Sequence, residues 1–436
     1  MKQSFYNLFF PFDNQVILYN ALGGAILIID EEMKKILEGD DISSLDEEYR
    51  TLFVENGILI DEDEDELDMV HSLYEESKYD AVTTTFHVIP TYECNLSCTY
   101  CNEGKGHSIT ASMDTEAAQR CSQFITGLTE ENYSKALAVE LFGGEPLLNM
   151  PINSILAESL KAWCEEHSKL FFLIAITNGT LFTPEIVETL AQYGCSFIVP
   201  VDGPKQIHDQ RRMYKTGGGT FDHILKGVQR VVDSGLEVKL RISTDATNTE
   251  SMTDFFDTLQ DAGLGSVNLS FKQSFKTSPA CMASTYCIPY GEGLKAVNEL
   301  RSMAQSMNFS VEQAEEPSLP GACPAQKIGY FTVDPYLNLY KCAILPPDTK
   351  NAVGYIDTEG TACFNELYSD FFSRDLISLQ ECQACTLLPA CRGGCPAEIY
   401  NNSGTTHGTV CRKSEITQTV RETVVHYVRT QGLITD

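Results

Sequence analysis

Residues 91–102 read T-Y-E-C-N-L-S-C-T-Y-C-N, so Cys94, Cys98 and Cys101 form a C-x3-C-x2-C set in one short loop. Three thiols this close suit a shared metal centre better than inert packing. A structural zinc site closes with four protein ligands, and an ordinary iron–sulfur cluster also takes four cysteines. Three point instead to a [4Fe–4S] cluster with one iron left open to a small molecule. A zinc knuckle that borrows a distant fourth ligand is the alternative.

The loop follows a β-rich run at residues 85–90, and the chain beyond it alternates. Helical patterns at 112–127, 153–166, 184–192, 221–233, 251–261 and 291–306 are interleaved with strand patterns at 136–142, 171–177, 197–201, 237–243 and 266–271. Six strand–helix repeats predict an α/β fold built on a partial (β/α)6 TIM-like barrel, with the chemistry in loops at the strand C-terminal ends. The cysteine loop, after the first strand, sits at that end.

Three more loops fall there. L-F-G-G-E-P-L (141–147) ends the second strand, and its adjacent glycines allow a close backbone approach; T-N-G-T (177–180) and V-D-G-P (201–204) follow the next two strands. His208-Asp209 and Arg211-Arg212 come directly after. Taken alone, Asn178 and Asp202 read equally well as turn formers, and Glu145 as a residue of a first helical turn. G-G-G-T-F (217–221) lacks the lysine of a phosphate loop and reads as a flexible lead-in to a helix.

Residues 1–83 carry short strands at 16–19 and 25–29 around an N-A-L-G-G turn, then helices at 31–37 and 46–55 and an apolar run at 58–60. D-E-D-E-D-E-L-D (61–68) reads as a solvated linker within a boundary at 61–85, with attraction of a basic peptide as the weaker reading. The barrel occupies 84–308. Residues 309–436 are cysteine-rich: Cys323, Cys342, Cys382-x2-Cys385-x5-Cys391-x3-Cys395 and Cys411. Cys121, Cys164, Cys195 and Cys363 are expected to be small buried hydrophobes.

The 436-residue chain is 43% hydrophobic, enough for a sizeable core, and holds 61 acidic against 31 basic residues, a net charge of −30. No basic excess exists to displace phosphate counterions, so neither nucleic acid nor an anionic membrane is an expected partner. No apolar run approaches the ~20 residues of a membrane span. Pro11 and Asp13 interrupt the N-terminal apolar stretch, so no secretory signal is read and the expected location is cytoplasmic. Sixteen clustered cysteines in such a chain read as metal ligands rather than a disulfide framework.

The cysteine loop, with Tyr100 before its last cysteine, resembles that of the radical S-adenosylmethionine (SAM) enzymes. In that family the open iron binds SAM, and one electron splits SAM to a 5′-deoxyadenosyl radical that takes a hydrogen atom from substrate. The resemblance implies that Cys94, Cys98 and Cys101 hold the cluster. It places Tyr100, Gly143, Gly144, Glu145, Pro146, Asn178 and Asp202 around SAM, the G-G-E-P carbonyls receiving its amino group while the Glu organises the turn. Relatives often carry Ser two positions before Asp202, where this chain has Pro200.

The seven C-terminal cysteines resemble the SPASM extension of peptide and protein maturases, which carries two auxiliary [4Fe–4S] clusters. By position, Cys382, Cys385, Cys391 and Cys411 would hold the outer cluster and Cys323, Cys342 and Cys395 the inner one. Cys281 or Cys287 would supply a fourth inner ligand, or that iron is open to a substrate thiolate. Leu337 replaces a family Gly, a departure expected to affect turn shape only. Ala343 replaces the Asp that serves as base in sulfatase maturases.

The N-terminal region resembles the small winged-helix-like, leader-capturing (RRE-like) domain of many peptide maturases. Together these imply an enzyme, a radical SAM oxidoreductase, with three [4Fe–4S] clusters and SAM as cofactors. It would install a thioether or carbon–carbon cross-link in a ribosomally made precursor peptide with a leader, and draw electrons from a flavodoxin- or ferredoxin-type reductant. A sulfatase-type side-chain maturase and a non-catalytic Fe–S or zinc module are the alternatives.

Overall fold

The structure, a computed structural model, describes residues 1–39, 42–101, 110–245, 247–273, 293–312, 321–343, 345 and 348–431. Cys281 and Cys287 lie outside the described residues. So does the beginning of the helix expected at 291–306, whose described part is Leu294–Ser306.

The N-terminal region has strands β1 (Lys2–Gln3), β2 (Asn7–Phe12), β3 (Gln15–Asn20), β4 (Ile26–Ile29) and β5 (Leu59–Ile60). β2, β3 and β4 form an antiparallel sheet, and β1 pairs with β5. Helices Glu31–Glu38 and Glu47–Glu55 begin at Asp30 and Asp46, whose carboxylates accept from backbone N–H groups of the first turn.

The acidic run is not simply a linker. Asp65 caps the helix Glu66–Lys78. Glu66 is buried and accepts from Ser4 Oγ and, at 2.7 Å, from Phe5 N. A carboxylate with two donors and a place in a core is a structural element, whatever the charge density of its neighbours.

The barrel strands are β6 (Thr83–Val88), β7 (Ala136–Leu141), β8 (Leu170–Ile176), β9 (Ser196–Val201), β10 (Val238–Thr244), β11 (Asn268–Gln273) and β12 (Ser310–Val311), all parallel to their neighbours. Their outward residues, among them Phe86, Val139, Val199 and Ile242, are fully buried against the helices. The alternate, inward residues are only half-buried, the mark of an open interior rather than a filled one.

The sheet does not stop at residue 308. β12 extends one edge, and beyond β6 follow β13 (Tyr330–Val333), β14 (Asn338–Tyr340), β15 (Gly354–Ile356) and β16 (Ala362–Phe364), giving eleven strands. β13 pairs parallel with β6, so the cysteine-rich region is hydrogen-bonded directly to the barrel.

The two ends of the chain share a core. Tyr6, Phe10, Ile17 and Tyr19 pack with Val70 and Tyr74, and with Leu376, Leu388, Val424 and Val428 from the C-terminal region. Fully buried Arg374 donates to the Thr406 and Arg392 carbonyls and to Tyr74 Oη, and Lys78 Nζ to the Phe372 and Arg374 carbonyls. Among the described residues no helix is long and apolar enough to cross a membrane.

Candidate functional site

The cysteine loop is held by backbone contacts from two other strand ends. Gly144 N donates to the Thr91 carbonyl at 3.1 Å and Glu145 N to that of Glu93 at 2.7 Å. A Cβ on Gly144 would lie 2.2 Å from Glu93 O, and Gly143 has φ +119°, so both glycines are required. On the other side Ser97 N and Thr99 N donate to the Met213 and Arg211 carbonyls at 2.8 and 3.0 Å.

Glu145 is buried and acts as an acceptor hub. It takes Leu147 N at 3.0 Å, Thr177 Oγ1 at 2.7 Å and Asn178 N at 2.8 Å, so it ties the second strand end to the third. Burial pushes its carboxyl up to about 7. Pro146 opens the short turn Pro146–Asn149, and its carbonyl accepts from Asn153 Nδ2 at 2.8 Å. Asn178 Nδ2 donates to Asn95 Oδ1 at 2.8 Å and approaches Cys94 Sγ at 3.9 Å. The side chains of Glu145 and Asn178 therefore position the cysteine loop.

Asp202 is also buried. Its Oδ2 accepts from Tyr100 Oη at 2.5 Å and faces Arg212 Nε at 3.2 Å, while Arg212 covers the Tyr100 ring at 5.3 Å. Oδ1 is buried without a hydrogen-bond partner among the described residues, an acceptor left for a ligand. Arg211 is a different matter: it forks onto Asp245 at 2.7 and 3.2 Å and holds the end of β10.

His208 is buried against Thr220 Oγ1, with its pKa lowered to about 4 by burial and by Arg212. Asp209 accepts from Thr220 N and Phe221 N. The 217–221 stretch is thus no loose lead-in. Gly217 and Gly218 turn at positive φ, Gly219 packs against the Asp209 carboxylate, and the next helix starts from that contact.

A line of polar groups absent from the sequence expectations crosses the barrel interior. His87 of β6 and Glu140 of β7 are paired in register. His87 Nδ1 lies 3.5 Å from Glu140 Oε2, and His87 Nε2 lies 2.8 Å from Tyr330 Oη on β13. A carboxylate can only accept, so Nδ1 carries the proton and Nε2 accepts from the tyrosine. Burial, opposed by Glu140 and reinforced by Arg241, lowers the pKa of His87 and keeps it neutral. Tyr330 in turn feels the Cys342 and Cys323 thiols. The only sequence signal was a charged or titratable residue at an inward position of each strand.

The C-terminal cysteines fall into two groups. Cys382 is influenced by Cys391, Cys385 and Cys411, and Cys323 by Cys395. A cavity of about 260 Å³ lies over Cys323, Cys391 and Cys395. Leu337 keeps the turn its position requires: φ is +64°, in the left-handed region, with the Asp334 carboxylate accepting from Tyr336 N and Asn338 N at 2.9 Å each. Turn shape is preserved and the backbone carries the strain. Cys121, Cys164 and Cys195 are buried as expected, whereas Cys363 is only partly buried, on edge strand β16.

The donor set fits a polynuclear iron–sulfur group better than zinc. A Zn–S length of about 2.3 Å puts tetrahedral sulfurs about 3.8 Å apart. Among the described residues only His71, Glu75 and Asp375 bring three ligand atoms within 4.8 Å of one another. The cysteine sulfurs stand wider, as thiolates on separate irons do. All fourteen described cysteines are free thiols, and burial pushes Cys94 up to about 11, a cost that a bound cationic cluster offsets.

Residues 88–262 match the radical SAM superfamily. The chain is 23% identical, over 90% of its length and 88% of the relative's, to the radical SAM cyclopropyl synthase TigE of Paramaledivibacter caminithermalis. In fold it is similar to native anSMEcpe with bound AdoMet (TM-score 0.61, 17% identity, 80% of this chain and 97% of that one). It is also similar to Streptococcus suis SuiB bound to precursor peptide SuiA (TM-score 0.53, 14% identity, 94% and 99%).

Proposed function

We propose that this chain, a radical SAM enzyme by the domain at residues 88–262, is a SPASM-type maturase that installs a thioether or carbon–carbon cross-link in a ribosomally made peptide. The observation that carries the reading is the half-open, polar barrel interior between the two cysteine regions, with His87, Glu140 and Tyr330 on its wall. A full barrel of this class is filled by branched apolar side chains; this one leaves space for a substrate segment.

Cys94, Cys98 and Cys101 would hold the SAM cluster, and the two C-terminal groups the auxiliary clusters. When bound, SAM and its cluster supply a 5′-deoxyadenosyl radical, and the protein supplies position and exclusion of water. The Gly143–Pro146 backbone and Asp202 Oδ1 receive SAM. Tyr330 Oη takes a proton from the peptide while passing its own to His87 Nε2, and Glu140 stabilises the imidazolium. This arrangement, a hydroxyl backed by an imidazole and a carboxylate, fills the role left open by Ala343. The sheet β2–β3–β4 is the proposed leader-binding surface, by strand addition at an edge. A flavodoxin- or ferredoxin-type reductant in a reducing cytoplasm completes the system.

The test is anaerobic reconstitution with iron and sulfide, then SAM and dithionite, comparing the parent with Cys94→Ala/Cys98→Ala/Cys101→Ala. The reading expects about twelve irons in the parent, from three four-iron clusters, and 5′-deoxyadenosine from the parent alone. Bound zinc and no deoxyadenosine would sink it.

A further inference from the structure

Buried cations gather around Cys323, although the chain as a whole carries a net charge of −30. Lys341 is 1% exposed. Its Nζ donates to the Lys327 and Tyr330 carbonyls at 2.5 and 2.6 Å and stands 4.0 Å over the Phe331 ring. Arg374, also 1% exposed, has carbonyl and tyrosine oxygens as its partners, and Arg392 donates to the Gly321 carbonyl at 2.8 Å.

None of the three is paired with a carboxylate among the described residues. Charged groups that act on Cys323 include Arg392 and Arg374, and the charge that acts on Lys341 is Cys323. Carbonyl oxygens and ring faces orient a buried cation but do not neutralise it, and an unpaired buried charge is strongly disfavoured. The anion that three such cations await is on the cysteine side.

We propose that Lys341, with Arg374 and Arg392, is the buried counter-charge of an iron–sulfur group held by Cys323, Cys342 and Cys395, and that it makes this group the easier of the two auxiliary clusters to reduce. The inference rests on the auxiliary-cluster reading above. A [4Fe–4S]2+ core with three thiolates is an anion, and a one-electron reduction adds a further negative charge. A fixed cation in a low-dielectric site favours the more negative state, so it raises the reduction potential. No such set of unpaired cations surrounds Cys382, Cys385 and Cys411 among the described residues. Lys341 acts through the cysteines and is a positioning and tuning residue, not a catalytic one.

The experiment uses the full chain in the Cys94→Ala/Cys98→Ala/Cys101→Ala background, where only auxiliary clusters remain. Lys341→Met and Lys341→Arg are reconstituted, their iron is counted, and their EPR signals are followed during potentiometric titration with dithionite. About eight irons are expected before and after substitution. Lys341→Met is expected to lower the reduction equilibrium constant of one signal at least about tenfold, about 59 mV for one electron. The other signal stays in place, and Lys341→Arg stays within about threefold of the parent.

Unmoved signals in Lys341→Met overturn the proposal, and so does a Lys341→Arg shift as large as that of Met, which would mean a structural role. If Lys341→Met loses iron, Lys341→Gln is read by the same criteria, since it keeps an N–H donor without the charge. A background protein that binds no iron overturns the auxiliary-cluster reading itself, separately from the role of Lys341.

Discussion

Gly144→Ala adds one methyl group at the contact between the Gly143–Pro146 turn and the cysteine loop. Gly144 is not in the left-handed region, so the added Cβ brings a steric effect and no φ penalty. That Cβ would meet Glu93 O at 2.2 Å and Tyr92 O at 2.5 Å, both backbone atoms that no side-chain rotation can clear. Real Cβ contacts begin near 3.0 Å, so the two backbones must part by about 0.8 Å. The Gly144–Thr91 and Glu145–Glu93 hydrogen bonds, at 3.1 and 2.7 Å, lengthen with them. Overpacking of this kind costs about 1–3 kcal/mol, which a chain of this size tolerates. Misplacing a reacting centre by about 1 Å costs about 100-fold in rate. The assay is single-turnover 5′-deoxyadenosine formation with dithionite, alongside iron content. We expect near-parental iron and a rate about 100-fold lower. Gly127→Ala is the control: nothing lies within 4 Å of its Cβ position, and it sits inside the helix Thr115–Glu131, so it leaves the rate unchanged. A Gly144→Ala enzyme at the parental rate would refute the close-approach argument.

Three further outcomes follow from the geometry. Tyr330→Phe removes the hydroxyl between the substrate space and His87; with a peptide that the parent modifies, deoxyadenosine should form at the parental rate while cross-linked product falls about 100-fold or more, and parental product yield per deoxyadenosine counts against the relay. Glu145 titrates higher in the folded chain than the model value of 4.5, at about 7. The folded state therefore binds more protons between these values, and the contribution of Glu145 to stability falls as pH rises from about 4.5 to 7, then levels. Glu145→Gln should flatten that part of a denaturation-midpoint-versus-pH curve, and an unchanged slope would exclude Glu145 as its source. Leu337→Gly relieves a left-handed residue, worth about 1–2 kcal/mol. It also removes a side chain that is 4% exposed, worth about 1.5–3 kcal/mol, and adds about 0.5–1 kcal/mol of glycine entropy. Burial outweighs strain, so urea unfolding should show a net loss of about 1–2 kcal/mol; a gain would mean that strain dominates the turn.

The barrel was legible because its outward strand faces are fully buried and its helices amphipathic, patterns that survive in sequence. The cysteine loop and the two C-terminal groups were legible from spacing. Other features were hidden for identifiable reasons. Pro11 masked β2, yet β2 is an edge strand, where a missing N–H is tolerated. Gly203 and Pro204 read as a stop, although the helix Lys205–Arg211 begins directly after them. β13 has only four residues, and nothing local announces that it pairs with β6 across more than two hundred residues. His87, Glu140 and Tyr330 come from three strands, so no motif spacing joins them. The reach of Glu66 to Ser4 and Phe5 was concealed by the charge density of its own segment.

The core shared by the two chain ends also sets an order of events during synthesis. Tyr6, Phe10, Ile17 and Tyr19 leave the ribosome early, but Val424, Val425 and Val428, which cover them, belong to the helix Lys413–Thr430. About 340 residues separate Tyr74 from Lys413. At roughly 5–20 residues per second, translation of that interval takes about 17–70 s. The nascent N-terminal sheet keeps an apolar face open throughout, and the last helix to emerge completes the first domain to be made.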